Sequence, residues 1–201
     1  QPAWCYYDNN PENGEKYGKF YNWYAVNDTR GLAPEGWHIP SDGEWTEMIN
    51  FLDADNNPEP QDEVCQSGES AEQSNIAGGM LKYTGSDGDD TYINHPNRAS
   101  ADITNVRKGL WNSPNTGATN ETGFAALPGG QRSVSGKDNY ITFQTNFWSS
   151  TELKEEEKND LKSWDKDKPL AWYWTFRYTS AAISRGILNQ GYGVNIRCVK
   201  D

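Results

Sequence analysis

The sequence is most informative first in what it lacks. Its 201 residues hold three Cys (Cys5, Cys65 and Cys198) with no CxxC pair. A zinc ribbon, a thioredoxin-like site and a disulfide scaffold are therefore excluded. Two His, His38 and His95, stand far apart without ligand spacing, so no His-rich metal centre is expected. No P-loop, dinucleotide fingerprint or nucleophile elbow occurs. No apolar run reaches the ~18 residues of a membrane span. The opening residues carry no signal-peptide pattern, and an exported chain after processing reads the same way. Basic residues are also short: 18 Lys and Arg stand against 29 Asp and Glu, a net charge of −11. Nucleic acid and anionic membrane surfaces are thus disfavoured as partners.

Aliphatic residues are sparse, but nine Trp and 11 Tyr are present. Disordered chains lack aromatics, so the composition predicts a folded, loop-rich single domain over 1–201 with an aromatic core. Residues 1–16 read as an irregular N-terminal segment, and YGKFYNWYAV (17–26) as extended. Residues 53–70, 84–108 and 152–169 read as loop insertions. One helix is clearly signalled over 41–53. Ser41 and Glu44 have capping-box spacing, and Trp45, Met48, Ile49 and Leu52 form one apolar stripe. A second helix is predicted over 71–82, although Gly78 and Gly79 weaken it. Short strands are expected at 124–127, 140–143 and FWSST (147–151).

The C-terminal quarter holds the densest strand signals: FWSST, AWYWTFRY (171–178) and GYGVNIRCVKD (191–201). These three runs are expected to form the central sheet.

Together the motifs YNWYAVND, GLAPEGWHIPSDGEW, AGGMLK, WNSPNTGATNETGFAALPGG, FWSSTE and VNIRCVKD resemble the Fibrobacter succinogenes major paralogous domain, from Tyr17 to Asp201. That resemblance implies an α+β, C-type-lectin-like fold of the formylglycine-generating-enzyme subtype. Two helices would pack on a small twisted antiparallel sheet with long loops. It also implies an exported surface protein or lipoprotein of the Bacteroidetes or Fibrobacter kind. Three departures stand out. The family's upstream WMAENL-like segment is absent, the local partner of Cys5 is missing near Gly14, and the three insertions are longer than the compact pattern.

In such a fold Trp172 and Phe176 would face inward. By strand alternation Tyr173, Thr175 and Arg177 would then share an outward face, continued by Tyr178, Arg185, Asn189, Gln190, Tyr192 and Asn195. These are the expected ligand-binding residues, for a glycan or a protein partner. No catalytic residue is expected. His38 reads as a structural, hydrogen-bonded histidine and Cys198 as an inert thiol. Ca²⁺ is the single candidate cofactor, with Asp53, Asp55, Asp87 and Asp89 in two acidic turns as ligands. A bridge of Cys5 with Cys65 is preferred, with Cys5–Cys198 as the alternative. Two other roles compete with recognition. One is a hypervariable receptor, since the run 180–195 holds Ala, Ile, Ser, Arg, Gly, Leu, Asn and Tyr, all reachable from Asn codons by adenine mutagenesis. The other is a structural adhesin-tip domain.

Overall fold

The computed structural model describes residues 1–56, 66–84, 92–93, 106–107 and 111–201. In chain order the elements are β1 (Trp4–Cys5), α1 (Pro11–Tyr17), β2 (Phe20–Tyr21), α2 (Trp23–Val26), β3 (Trp37–His38), α3 (Asp42–Leu52), β4 (Ser70–Ser74) and α4 (Ala77–Leu81). They continue with β5 (Tyr92–Ile93), β6 (Val106–Arg107), β7 (Gln131–Arg132), β8 (Asp138–Asn139), β9 (Gln144–Glu152), α5 (Ser163–Lys166), β10 (Leu170–Arg177), β11 (Ile183–Asn189) and β12 (Val199–Lys200). The chain is a mixed α+β domain with small antiparallel sheets and few helices.

The main sheet has the order β4-β11-β10-β9, antiparallel throughout. β9 and β10 come from FWSST and AWYWTFRY, as expected. The third strand does not come from GYGVNIRCVKD. It comes from ISRGILN, the segment expected to be displayed. The C-terminal run instead crosses β7, β2 and β9 through single bridges at Gly193, Val194 and Asn195, and Val199–Lys200 pairs with β3.

β10 is covered on both faces. On one side Trp174 and Phe176 pack with Trp45 and Ile49 of α3. Trp45 stacks on Trp174 at 5.8 Å between centroids. On the other side Tyr173 packs with Trp23, Trp148 and Val194. α3 starts at the capping box of Ser41 and Glu44, and its stripe is the buried one the spacing predicts.

Five local expectations fail for physical reasons. Residues 11–17 form a helix, with the Asn10 side chain capping Glu12 N–H and Pro11 in the first turn. Residues 23–26 are helical, capped by Asn22. Residues 70–74 are drawn into the sheet by β11, which leaves a helix of only Ala77–Leu81. Residues 140–143 form a turn, since Tyr140 and Thr142 both hold positive φ; at 124–127 only Ala126 is bridged. Within the 152–169 insertion, Leu153 and Leu161 return to the core with Leu170, Trp172 and Ile187. Among the described residues no helix is long and apolar enough to cross a membrane.

Candidate functional site

The expected outward face does not assemble. Tyr173 and Thr175 are only 3% and 1% exposed, and Gln190 and Asn195 are buried too. The reason is the second layer: residues 20–26 and 192–196 cover the face that alternation alone would leave open. Arg185 is held over Trp172 and paired with Asp42. Of the rest, Arg177 and half-buried Tyr178 lie at one end of the β10–β11 hairpin, while half-buried Asn189 and Tyr192 lie at the other. At strand rise the two ends are about 20 Å apart. The same burial makes ISRGILN a framework strand, ill suited to hypervariable display.

Of the four expected Ca²⁺ ligands, Asp53 and Asp55 lie among the described residues. Asp53 is buried, and its Oδ2 accepts a hydrogen bond from Ser74 Oγ at 2.6 Å. That hydroxyl also accepts from Ala77 N–H at 2.9 Å, so Asp53 ties the end of α3 to the start of α4. Asp55 is exposed. Asp87, Asp89, His95 and Cys65 lie outside the described residues. Among the described residues no group of three His, Cys, Asp or Glu side chains could hold a metal. Cys5 and Cys198 are free thiols, so the Cys5–Cys198 staple is not formed; burial pushes both thiols up from their ordinary pKa. His38 bridges two carboxylates, with Nδ1 2.7 Å from Asp201 Oδ1 and Nε2 2.7 Å from Glu44 Oε1.

A cleft of about 440 Å³ opens elsewhere, beside residues that sequence reasoning left as irregular. Its first wall is the β1–β2 pair. Trp4 and Tyr21 sit directly opposite each other in register, so their side chains share one face. Trp4 is 55% exposed, and of the three exposed indoles, with Trp37 at 45% and Trp164 at 63%, it is the one that lines this cleft. Tyr6 meets it edge-on at 5.3 Å, and Lys19 Nζ lies 4.2 Å from its ring centroid. The second wall is the loop after α2. Arg30 Nε donates to Asp28 Oδ1 at 2.8 Å, and its Nη2 donates to Oδ2 at 2.7 Å. The Arg30 guanidinium holds the Asp28 carboxyl well below the usual carboxylate range.

Asn22 joins the walls. Its Oδ1 accepts from Ala3 N–H and from Ala25 N–H, and its Nδ2 donates to the Gln1 carbonyl. Trp148 Nε1 donates to the Tyr21 carbonyl at 2.8 Å, which anchors the cleft to β9. The arrangement suits a ligand with one apolar face and several hydroxyls, because an exposed ring offers stacking and the fork offers directional hydrogen bonds. Two signals in the sequence pointed here: the β-prone pair Trp4–Cys5, and Asp28 two residues before Arg30, which sets an Asx turn.

With this geometry in place, the class of the molecule is plain: an α+β domain with small antiparallel sheets, carrying an aromatic-walled cleft next to an Asp–Arg fork. The chain belongs to the Fibrobacter succinogenes major domain family, whose profile matches residues 1–200. No curated protein and no solved structure matches it.

Proposed function

We propose that the chain is a non-catalytic recognition domain of an exported bacterial surface protein, and that it binds a glycan in the Trp4–Tyr21 cleft. One observation carries the reading: a half-exposed indole faces solvent beside a bidentate Asp28–Arg30 fork. Sugar rings present an apolar C–H face to an aromatic plane and hydroxyls to charged side chains, which is the chemistry this cleft offers. Among the described residues the lining holds a single carboxylate, already engaged by Arg30, and no Ser–His or Cys–His pair, so it lacks the parts of a hydrolytic site.

We also propose that the frame is a C-type-lectin-like fold of the formylglycine-generating-enzyme subtype. In support, a long amphipathic helix packs on a small antiparallel sheet, and the first and last strands both close onto neighbouring segments. The surface location rests on family membership.

An immobilised glycan panel tests the proposal. Wild type should label a defined subset of sugars, and Trp4→Ala should weaken that binding about tenfold or more, in keeping with the loss of a central aromatic anchor. No labelled sugar, or full retention by Trp4→Ala, would overturn it, and capture of a protein instead would redirect the same cleft to a polypeptide.

A further inference from the structure

A second groove, of about 350 Å³, meets the first at Tyr21, which lines both. Its charge is unlike that of the rest of the molecule. Among the described residues its lining holds Lys16, Lys19 and Arg197 and no carboxylate, within a chain whose net charge is −11. Lys19 and Arg197 are set against aromatic rings: Lys19 Nζ lies 4.2 Å from the Trp4 centroid, and the Arg197 guanidinium carbon lies 4.6 Å from that of Phe124. Among the described residues neither takes part in an ion pair, so both cations are held in place without being neutralised.

The backbone that presents them is fixed from below. Asn195 Nδ2 donates to the carbonyls of Tyr17 and Lys19, and its Oδ1 accepts from Thr145 Oγ1. A Cβ at Gly129 would come within 2.5 Å of that Oδ1, so the floor closes only around glycine there. Gly18, at φ 79, turns the chain between Lys16 and Lys19. The groove is therefore built before any ligand arrives.

We infer that the two clefts form one path for an anionic polysaccharide, with a sugar ring on Trp4 and Tyr21 and its acidic substituents running past Lys19 toward Arg197. The inference rests on the proposed glycan cleft and names its ligand class. Charge complementarity favours a polyanion, and the flat aromatic wall at the junction favours sugar rings over an acidic peptide.

Calorimetric titration tests this with four probes: an oligogalacturonate, a heparin oligosaccharide, a neutral galacto-oligosaccharide of equal length, and polyglutamate. At least one anionic sugar should bind about tenfold tighter than the neutral one at low salt, and that margin should shrink as salt is added. Lys19→Gln with Arg197→Gln should erase the margin and the salt dependence. Trp4→Ala should weaken charged and neutral sugars alike. If the double variant does not fold, the wild-type salt dependence and probe ranking decide alone. Neutral sugar bound as tightly as anionic overturns the inference and leaves the cleft reading standing. Polyglutamate bound as tightly as the anionic sugars also overturns it. Binding of no probe, together with a blank glycan panel, overturns both.

Discussion

Arg185 lies over Trp172, its guanidinium carbon 3.5 Å from the ring centroid, while the same guanidinium pairs with Asp42 at 2.6 Å. Asp42 opens α3, and its Oδ1 also accepts from Trp174 Nε1 at 3.1 Å. One carboxylate thus pins the start of the helix to β10 and β11. Burial pushes the Asp42 carboxyl up, and the Arg185 charge opposes that shift. Removing either partner leaves an uncompensated buried charge. Asp42→Ala and Arg185→Ala should each cost about 3–5 kcal/mol, and the double variant less than their sum. Urea unfolding of the three variants measures it.

Lys82 is fully buried, and its Nζ donates to the carbonyls of Thr116 at 2.9 Å, Arg177 at 3.2 Å and Ser180 at 2.8 Å. Its ammonium gathers three loop carbonyls at one point. Burial pushes its pKa down to about 8. Lys82→Met should strand those carbonyls and cost about 3 kcal/mol or more, at roughly 1–3 kcal/mol for each buried group left unpaired. Thermal melting of the variant checks the loss, and a heteronuclear NMR titration checks the pKa.

Gly78 and Gly79 allow α4 to touch its neighbours by backbone. A Cβ at Gly78 would fall 2.2 Å from the Ala182 carbonyl oxygen, and one at Gly79 would fall 2.2 Å from that of Gly117. Helix propensity alone predicts that Gly→Ala stabilises a helix. Here Gly78→Ala should destabilise by about 1–3 kcal/mol, the usual cost of overpacking. A higher melting temperature for the variant would contradict the close approach.

The His38 clasp makes stability pH-dependent. Hydrogen bonds to Asp201 and Glu44 raise the His38 pKa above its ordinary 6.5. Its contribution is therefore full below 6.5 and is lost as pH rises through the raised folded value. Glu44 is lowered from 4.5, chiefly by the Ser41 backbone N–H, so its contribution is present above 4.5 and lost as pH falls through its folded value. The melting-temperature gap between wild type and His38→Gln should be widest between these limits and close at alkaline pH.

How much of this was legible depends on whether a signal was local. α3 was readable because Ser41, Glu44 and the Trp45–Leu52 stripe lie within one segment. β9 and β10 were readable from FWSST and AWYWTFRY. The burial of Tyr173 and Thr175 was harder to read, because strict alternation assumes a solvated face. Yet AWYWTF is nearly continuous in large side chains, which is the pattern of a strand covered on both sides. The strand at 70–74 depends on β11, far along the chain, and nothing within SAEQS announces it. The helix at 11–17 did have its signal, Asn10 followed by Pro11, but the same residues also spell a turn. Trp4 was overlooked because a binding surface was sought where aromatics were densest. In this chain the dense aromatics of β9 and β10 are core, and Trp4 is among the aromatics left exposed.

The central claim is that ligand enters at Trp4 and Tyr21. Indole N–H resonances of the nine Trp can be followed by NMR as a sugar selected on the glycan panel is added. The account predicts that the Trp4 resonance shifts with saturation, accompanied by the backbone amides of Tyr21 and Arg30, while those of Trp172 and Trp174 stay in place. A silent Trp4, with shifts centred on Arg177 and Tyr178 or on Asn189 and Tyr192, would contradict it.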